Sequence, residues 1–175
     1  MTLMLILGGV KSGKSRLAER IAADSGFPVT YIATAAAGDD EMRERITRHR
    51  QHRPAHWQVI EEPLKLAAML NRYAGYSSQC LLVDCLTLWL TNLLVHDDQS
   101  LLASERKALF DILPHVTGKL ILVSNETNMG ITPLGELSRR YCDEAGLLHQ
   151  DLAAICDQVI LTVAGLPLVL KGNPI

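Results

Sequence analysis

The chain has 175 residues, 48% hydrophobic and 21% charged, with 12 Gly and 7 Pro; this excludes disordered and fibrous classes and predicts a single domain, residues 1–175, with a real hydrophobic core. Lys plus Arg number 17 against 19 Asp plus Glu, a net charge of −2, so no global positive field exists to hold a phosphodiester backbone and nucleic acid is not an expected partner. No apolar run reaches the roughly 18 residues of a membrane helix, Met1–Leu7 carries no basic leader, and Cys80, Cys85, Cys142 and Cys156 lack metal-ligand spacing, which together predict a cytoplasmic protein with reduced thiols, no membrane span, no structural zinc and no disulfide framework.

In chain order, short apolar runs bounded by turn residues predict strands at Leu3–Leu7, Val29–Ile32, Cys80–Val83, Lys119–Ser124 and Gln158–Val163, each of the kind buried on both faces. Between them, helices are expected at Lys14–Ser25, Asp39–Arg53, Pro63–Tyr73, Leu86–Val95, Leu101–Leu113, Pro133–Ala145 and Leu148–Cys156. Thr132-Pro133 reads as an N-cap followed by Pro at the first helical position, and Gly146 as a stop. Val159–Leu170, broken by Gly165 and Pro167, is expected to close as a terminal hairpin. Alternating strands and helices imply parallel βαβ units in an α/β sheet, with ligands at the carboxyl ends of the strands.

The sharpest motif is Gly8-Gly9-Val10-Lys11-Ser12-Gly13-Lys14-Ser15, a GxxxxGK[ST] phosphate loop placed where one must stand, after a strand and opening a helix. Its backbone N–H groups and the helix N-terminus suit phosphate oxygens, Lys14 supplies a cation for the outer phosphates, and the Ser15 hydroxyl is a Mg2+ ligand. Asp84 closes the apolar run Cys80–Val83 and is the candidate second Mg2+ ligand; the competing reading makes it the cap of the following helix.

The segment Asp39–Arg53 begins acidic and ends with Arg48, His49, Arg50, His52 and Arg53. Acid-to-base i,i+4 pairs account for its first half as a solvated helix. The unpaired cations at its end point to an anion, here a nucleotide or phosphorylated substrate, and a histidine among arginines can act as a nucleophile on phosphorus.

Several separated blocks, in order, resemble the bifunctional adenosylcobinamide kinase / adenosylcobinamide-phosphate guanylyltransferase family over nearly the whole chain. They are the phosphate loop, Tyr31-Ile32-Ala33-Thr34, Asp40-Glu41-Met42, Arg45-Ile46, His49-Arg50, Arg53-Pro54 to Trp57, Val83-Asp84-Cys85-Leu86-Thr87, Thr91-Asn92-Leu93-Leu94, and Ser124-Asn125-Glu126 with Met129-Gly130-Ile131 and Pro133. The resemblance implies a P-loop NTPase fold, a RecA-like mostly parallel sheet with helices on both faces, and a homotrimer. It further implies phosphorylation of adenosylcobinamide by ATP or GTP, and transfer of GMP from GTP to adenosylcobinamide phosphate through a histidine that corresponds to His49. By similarity Thr34, Ala35, Ala36, Gln51, His52 and Glu62 join the nucleotide site, with Arg50 and Arg53 offsetting charge on the reacting phosphate. Thr127-Asn128 depart from the family's usual Val-Gly pair, exchanging a glycine for the residue next most tolerant of positive φ. Glu126 faces the binding edge and reads equally as a contact to substrate or water and as a loop acid before a helix. A plain P-loop kinase with no covalent intermediate, a regulatory NTPase and an idle P-loop are the competing readings.

Overall fold

Strands whose every residue is apolar cannot leave a face in water, so helices must cover both sides of the sheet they form. The computed structural model describes residues 2–35 and 54–174 and arranges them in that way. In chain order the elements are β1 (Thr2–Gly8), α1 (Lys14–Ala23), β2 (Val29–Ala33), β3 (Gln58–Glu61), α2 (Leu66–Tyr73), β4 (Cys80–Asp84), α3 (Leu86–Leu94), α4 (Leu101–Ile112) with a 3-10 turn at Leu113–His115, β5 (Lys119–Asn125), α5 (Glu136–Ile155), β6 (Gln158–Val163) and β7 (Leu166–Lys171). The seven strands lie in the order β3-β2-β4-β5-β1-β6-β7. Every neighbouring pair is parallel except β6 with β7. The expected helix at Asp39–Arg53 lies outside the described residues.

The pleat sorts each strand between two cores. Leu3, Leu5 and Leu7 of β1 join Leu81, Val83, Leu120 and Leu122 under α2 to α5, whereas Met4 and Ile6 join Leu82, Ile121 and Val123 under Leu17, Ala18 and Ala22 of α1. Trp89 of α3 is fully buried, and its indole N–H donates to the Leu64 carbonyl at 2.8 Å, so the polar end of the ring is satisfied in the core.

Several expectations need correction. Strand β3 escaped the apolar-run criterion because three of its four residues are exposed at the sheet edge. The pair of helices expected at Pro133–Ala145 and Leu148–Cys156 is one continuous helix, Glu136–Ile155, with Gly135 as N-cap. Thr132-Pro133 is therefore loop, and Gly146 is no stop: a Cβ there would stand 2.9 Å from Asn128 Nδ2, so the glycine admits the loop that crosses the helix. Asn128 does not use a positive φ either; its side-chain amide donates to the Cys142 carbonyl at 2.8 Å and ties that loop to α5.

The terminal hairpin forms as expected. Ala164 (φ 51°) and Gly165 (φ 80°) both adopt the positive φ that a two-residue hairpin turn demands. Pro167 sits inside β7 opposite Thr162, where an edge strand tolerates a missing N–H. This turn also braces the site, because the Gly165 N–H donates to the Ser12 carbonyl at 2.9 Å.

Candidate nucleotide site

Glycine at position 8 lets β1 end against its surroundings: a Cβ there would collide with Ser12 Oγ and lie 2.6 Å from the Thr162 carbonyl oxygen. The chain then curls back, with the Ser12 N–H donating to Gly9 O at 3.2 Å and positive φ at Lys11 (56°) and Gly13 (96°). Helix α1 opens with Leu17 N–H on Gly13 O at 2.9 Å and has neither a side-chain cap nor an acid in its first turn. Its N-terminal N–H groups and dipole are thus left for an anion. Lys14 is 9% exposed and its Nζ donates to Gly9 O at 3.2 Å, which folds the ammonium back over the loop. Gly9, Val10 and Lys11 are exposed and Ser15 is half-buried at the helix start. Ser12 Oγ and Thr162 Oγ1 are buried behind the loop with no hydrogen-bond partner.

The remaining site residues in the described part of the chain stand along the carboxyl edge of the same sheet. Asp84 ends β4, which is separated from the loop-bearing β1 only by β5. Its Oδ2 accepts the Tyr31 hydroxyl at 2.9 Å. The capping alternative fails, since the N-cap of α3 is Cys85, without a side-chain cap. Thr34, fully buried, clamps the end of β2 to that of β4. Its Oγ1 donates to Cys85 O at 2.6 Å and accepts the Cys85 N–H at 2.9 Å, while its carbonyl accepts from the Asn92 amide at 2.9 Å. Ala35, half-buried, follows it. Glu62 packs beside β2 through its N–H on Ala33 O at 2.9 Å, and its Oε1 accepts the Leu64 and Lys65 N–H groups at 3.0 and 2.7 Å, so this carboxylate caps the turn into α2. Ala36, His49, Arg50, Gln51, His52 and Arg53 lie outside the described residues.

Ser15 and Asp84 offer a hydroxyl and a carboxylate, hard oxygen donors of the type Mg2+ takes together with substrate phosphates and water. Among the described residues no group of three or more His, Cys, Asp or Glu side chains could hold a metal by itself. Three of the four thiols are chemically quiet: burial pushes Cys80 and Cys85 up to about 11 and Cys156 up to about 12, with the Asp84 charge adding to the effect at Cys85.

Sequence reasoning missed a polar cluster under this edge. His149, 7% exposed on α5, has Nε2 2.8 Å from Ser124 Oγ, which lies 3.4 Å from Thr87 Oγ1. Its Nδ1 lies 3.7 Å from Glu126 Oε2. A signal was present, since His149 occupies the same helical face as the buried Ala145, Leu148 and Leu152. Burial lowers its pKa despite the nearby Glu126 carboxylate, so the ring is neutral.

The model of the family described as "Cobinamide kinase / cobinamide phosphate guanyltransferase" matches residues 4–170. The chain is 63% identical to the bifunctional adenosylcobalamin biosynthesis protein CobP of Pseudomonas aeruginosa over 98% of each chain. It is 36% identical to the bifunctional adenosylcobalamin biosynthesis protein CobU of Escherichia coli K12, over 97% of this chain and 99% of the relative. Among solved structures, a Pyrococcus horikoshii OT3 protein superposes with a TM-score of 0.58 at 8% identity over 99% of this chain and 89% of its own. A DnaB-like replicative helicase does so with a TM-score of 0.50 at 12% identity over 91% of this chain and 46% of its own. At such identities these two report the fold alone, a mostly parallel sheet with helices, and the loop Gly8–Ser15 makes it that of a P-loop NTPase. The match over residues 4–170 and two relatives aligned nearly end to end establish that the chain belongs to the cobinamide kinase / cobinamide phosphate guanyltransferase family.

Proposed function

We propose that this chain carries out two successive steps of cobalamin biosynthesis: phosphorylation of the aminopropanol hydroxyl of adenosylcobinamide by ATP or GTP, then transfer of GMP from GTP to that phosphate to give adenosylcobinamide-GDP. The observation that carries the reading is a phosphate loop and an acidic strand end, Asp84, on one sheet edge of a chain that belongs to this family along 4–170.

In the first step the loop N–H groups and Lys14 hold the β- and γ-phosphates in line with the acceptor hydroxyl, so that the hydroxyl oxygen bonds to the γ-phosphorus as the nucleoside diphosphate leaves. Ser15 and Asp84 are the residues that would hold Mg2+, which when bound offsets charge on the phosphate oxygens. In the second step His49 attacks the α-phosphorus of GTP and expels pyrophosphate, with Arg50 and Arg53 opposing the charge that gathers on the phosphoryl oxygens. The phosphate of adenosylcobinamide phosphate then takes the GMP and frees the histidine, which makes this step ping-pong. Thr34, Ala35, Ala36, Gln51, His52 and Glu62 line the nucleotide. We assign both reactions to one domain spanning 1–175, acting in the cytoplasm as a homotrimer; the four unpaired thiols and the lack, among the described residues, of any helix long and apolar enough to cross a membrane support that location.

Separate assays of the two steps test this reading. Lys14→Ala should lose both, at least 100-fold each, while His49→Ala should lose guanylyl transfer and keep phosphorylation. Equal loss of both steps in a folded His49→Ala protein contradicts the division of roles, and full guanylyl transfer by it contradicts His49 as the nucleophile.

A further inference from the structure

Strand β5 stands between the strand that ends in Asp84 and the strand that ends in the phosphate loop. Glu126 follows directly on β5, and its N–H donates to the carbonyl of Gly8, the first residue of the loop, at 3.0 Å. Its carboxylate is 16% exposed, with one oxygen hydrogen-bonded and the other facing a ring nitrogen across a gap. Oε1 accepts the Asn128 N–H at 2.7 Å, and Oε2 faces His149 Nδ1 at 3.7 Å.

The other carboxylates named on this edge have tasks already: Asp84 accepts the Tyr31 hydroxyl, and Glu62 caps the turn into α2. Glu126 is the one fixed to the phosphate loop itself.

The tautomer of His149 follows from its neighbours. Ser124 Oγ, 3.4 Å from Thr87 Oγ1, stands 2.8 Å from His149 Nε2 and can donate its proton there, while Nδ1 faces a carboxylate that can only accept. The neutral ring's proton is therefore on Nδ1, facing Glu126. The opposite tautomer would bury a nitrogen lone pair against a carboxylate. Nδ1 is buried without a hydrogen-bond partner, so this donor is satisfied only when the carboxylate closes the 3.7 Å gap. A spare, buried donor aimed at a mostly buried carboxylate is a device for setting where that carboxylate stands.

We propose that Glu126 is the general base of the phosphoryl-transfer step, which rests on the kinase reading above, and that His149 is the positioning residue behind it. As the acceptor oxygen bonds to the γ-phosphorus and the bond from that phosphorus to the β-phosphate oxygen breaks, the electron pair leaves on the nucleoside diphosphate and the hydroxyl proton passes to Glu126. That proton is later released to water. Ser124 can supply the donor that Nε2 then accepts, and Asn128 fixes the other carboxylate oxygen.

The experiment is steady-state phosphorylation of adenosylcobinamide by the full chain, with fluorescent GTP-analogue binding as the test of folding. Glu126→Gln should lower kcat by about 100-fold or more with the triphosphate KM within threefold of wild type. Glu126→Ala should show the same loss, and added sodium formate should restore its rate at least tenfold by supplying a free carboxylate. His149→Ala should lower kcat about tenfold at unchanged KM, with partial recovery in His149→Gln, whose amide can donate where Nδ1 did. A Glu126→Gln protein with kcat within threefold of wild type, or absence of formate rescue, overturns the assignment. Should the Gln and Ala variants fail to fold, Glu126→Asp decides, because it keeps the charge and retracts it by one methylene: a tenfold or greater fall in kcat supports the role, and kcat within threefold overturns it. An inactive wild type overturns the kinase reading itself; an active wild type with an equally active Glu126→Gln overturns only the role of Glu126.

Discussion

Replacing Gly13 by alanine puts two separate costs on the phosphate loop. At φ 96° a Cβ is strained whatever the space around it, and the new atom would stand 3.2 Å from Gly165 Cα in the hairpin turn that braces the loop. The left-handed conformation costs about 1–2 kcal/mol for an L residue, and pushing the turn aside brings the sum to about 2–3 kcal/mol. At about 2–4 °C per kcal/mol for a chain of this size, Tm should fall by roughly 4–12 °C. Two companion variants separate the terms: Gly26→Ala carries positive φ (72°) with open space around it, and Gly75→Ala has open space without positive φ. Thermal unfolding should rank them Gly75→Ala near wild type, Gly26→Ala lower by about 1–2 kcal/mol, and Gly13→Ala lowest. The scan is then repeated with GTP and Mg2+. At 100 times Kd a ligand stabilises by about 2.7 kcal/mol, and Gly13→Ala should lose most of that gain because its loop N–H groups have moved. A Gly13→Ala protein as stable as Gly26→Ala, with the full GTP-dependent rise, would refute the contact with Gly165 as a determinant of loop geometry.

Trp89→Ala empties the centre of the larger core and leaves the Leu64 carbonyl without its donor, so urea unfolding should show a loss of about 3–5 kcal/mol; a loss under about 1 kcal/mol would contradict the packing. Stability should also fall on acidification through His149. Burial holds its pKa below the ordinary 6.5, so the unfolded chain takes up the proton first, the contribution is complete above pH 6.5, and it is lost as the pH drops through the native value. Urea midpoints at pH 7.5 and 5.5 should differ less in His149→Gln than in wild type, and equal differences would rule out His149 as the source.

What the sequence made legible follows the range of the interactions involved. The phosphate loop, the five apolar strands and the terminal hairpin within Val159–Leu170 are set by neighbours within a few residues, and the structure has them where residue type and spacing put them, with the turn itself at Ala164-Gly165. Strand β3 was hidden because an exposed edge strand needs no apolar run. The break expected in α5 came from reading Gly146 for its backbone freedom, when the position answers to the approach of Asn128 from another segment. At the site, Lys14 and Asp84 could be named from local motifs. The contact of Glu126 with His149 could not, because it depends on β5 and α5 being packed together, which only the assembled sheet and its helices bring about.

The central claim, a histidine that carries GMP between GTP and adenosylcobinamide phosphate, is tested most directly by intact mass after incubation with GTP and Mg2+. Wild type should gain an acid-labile increment equal to GMP, and His49→Ala should bind GTP without gaining it. An adduct retained in His49→Ala would move the nucleophile elsewhere, and a wild type that binds GTP yet gains no mass would contradict the covalent route.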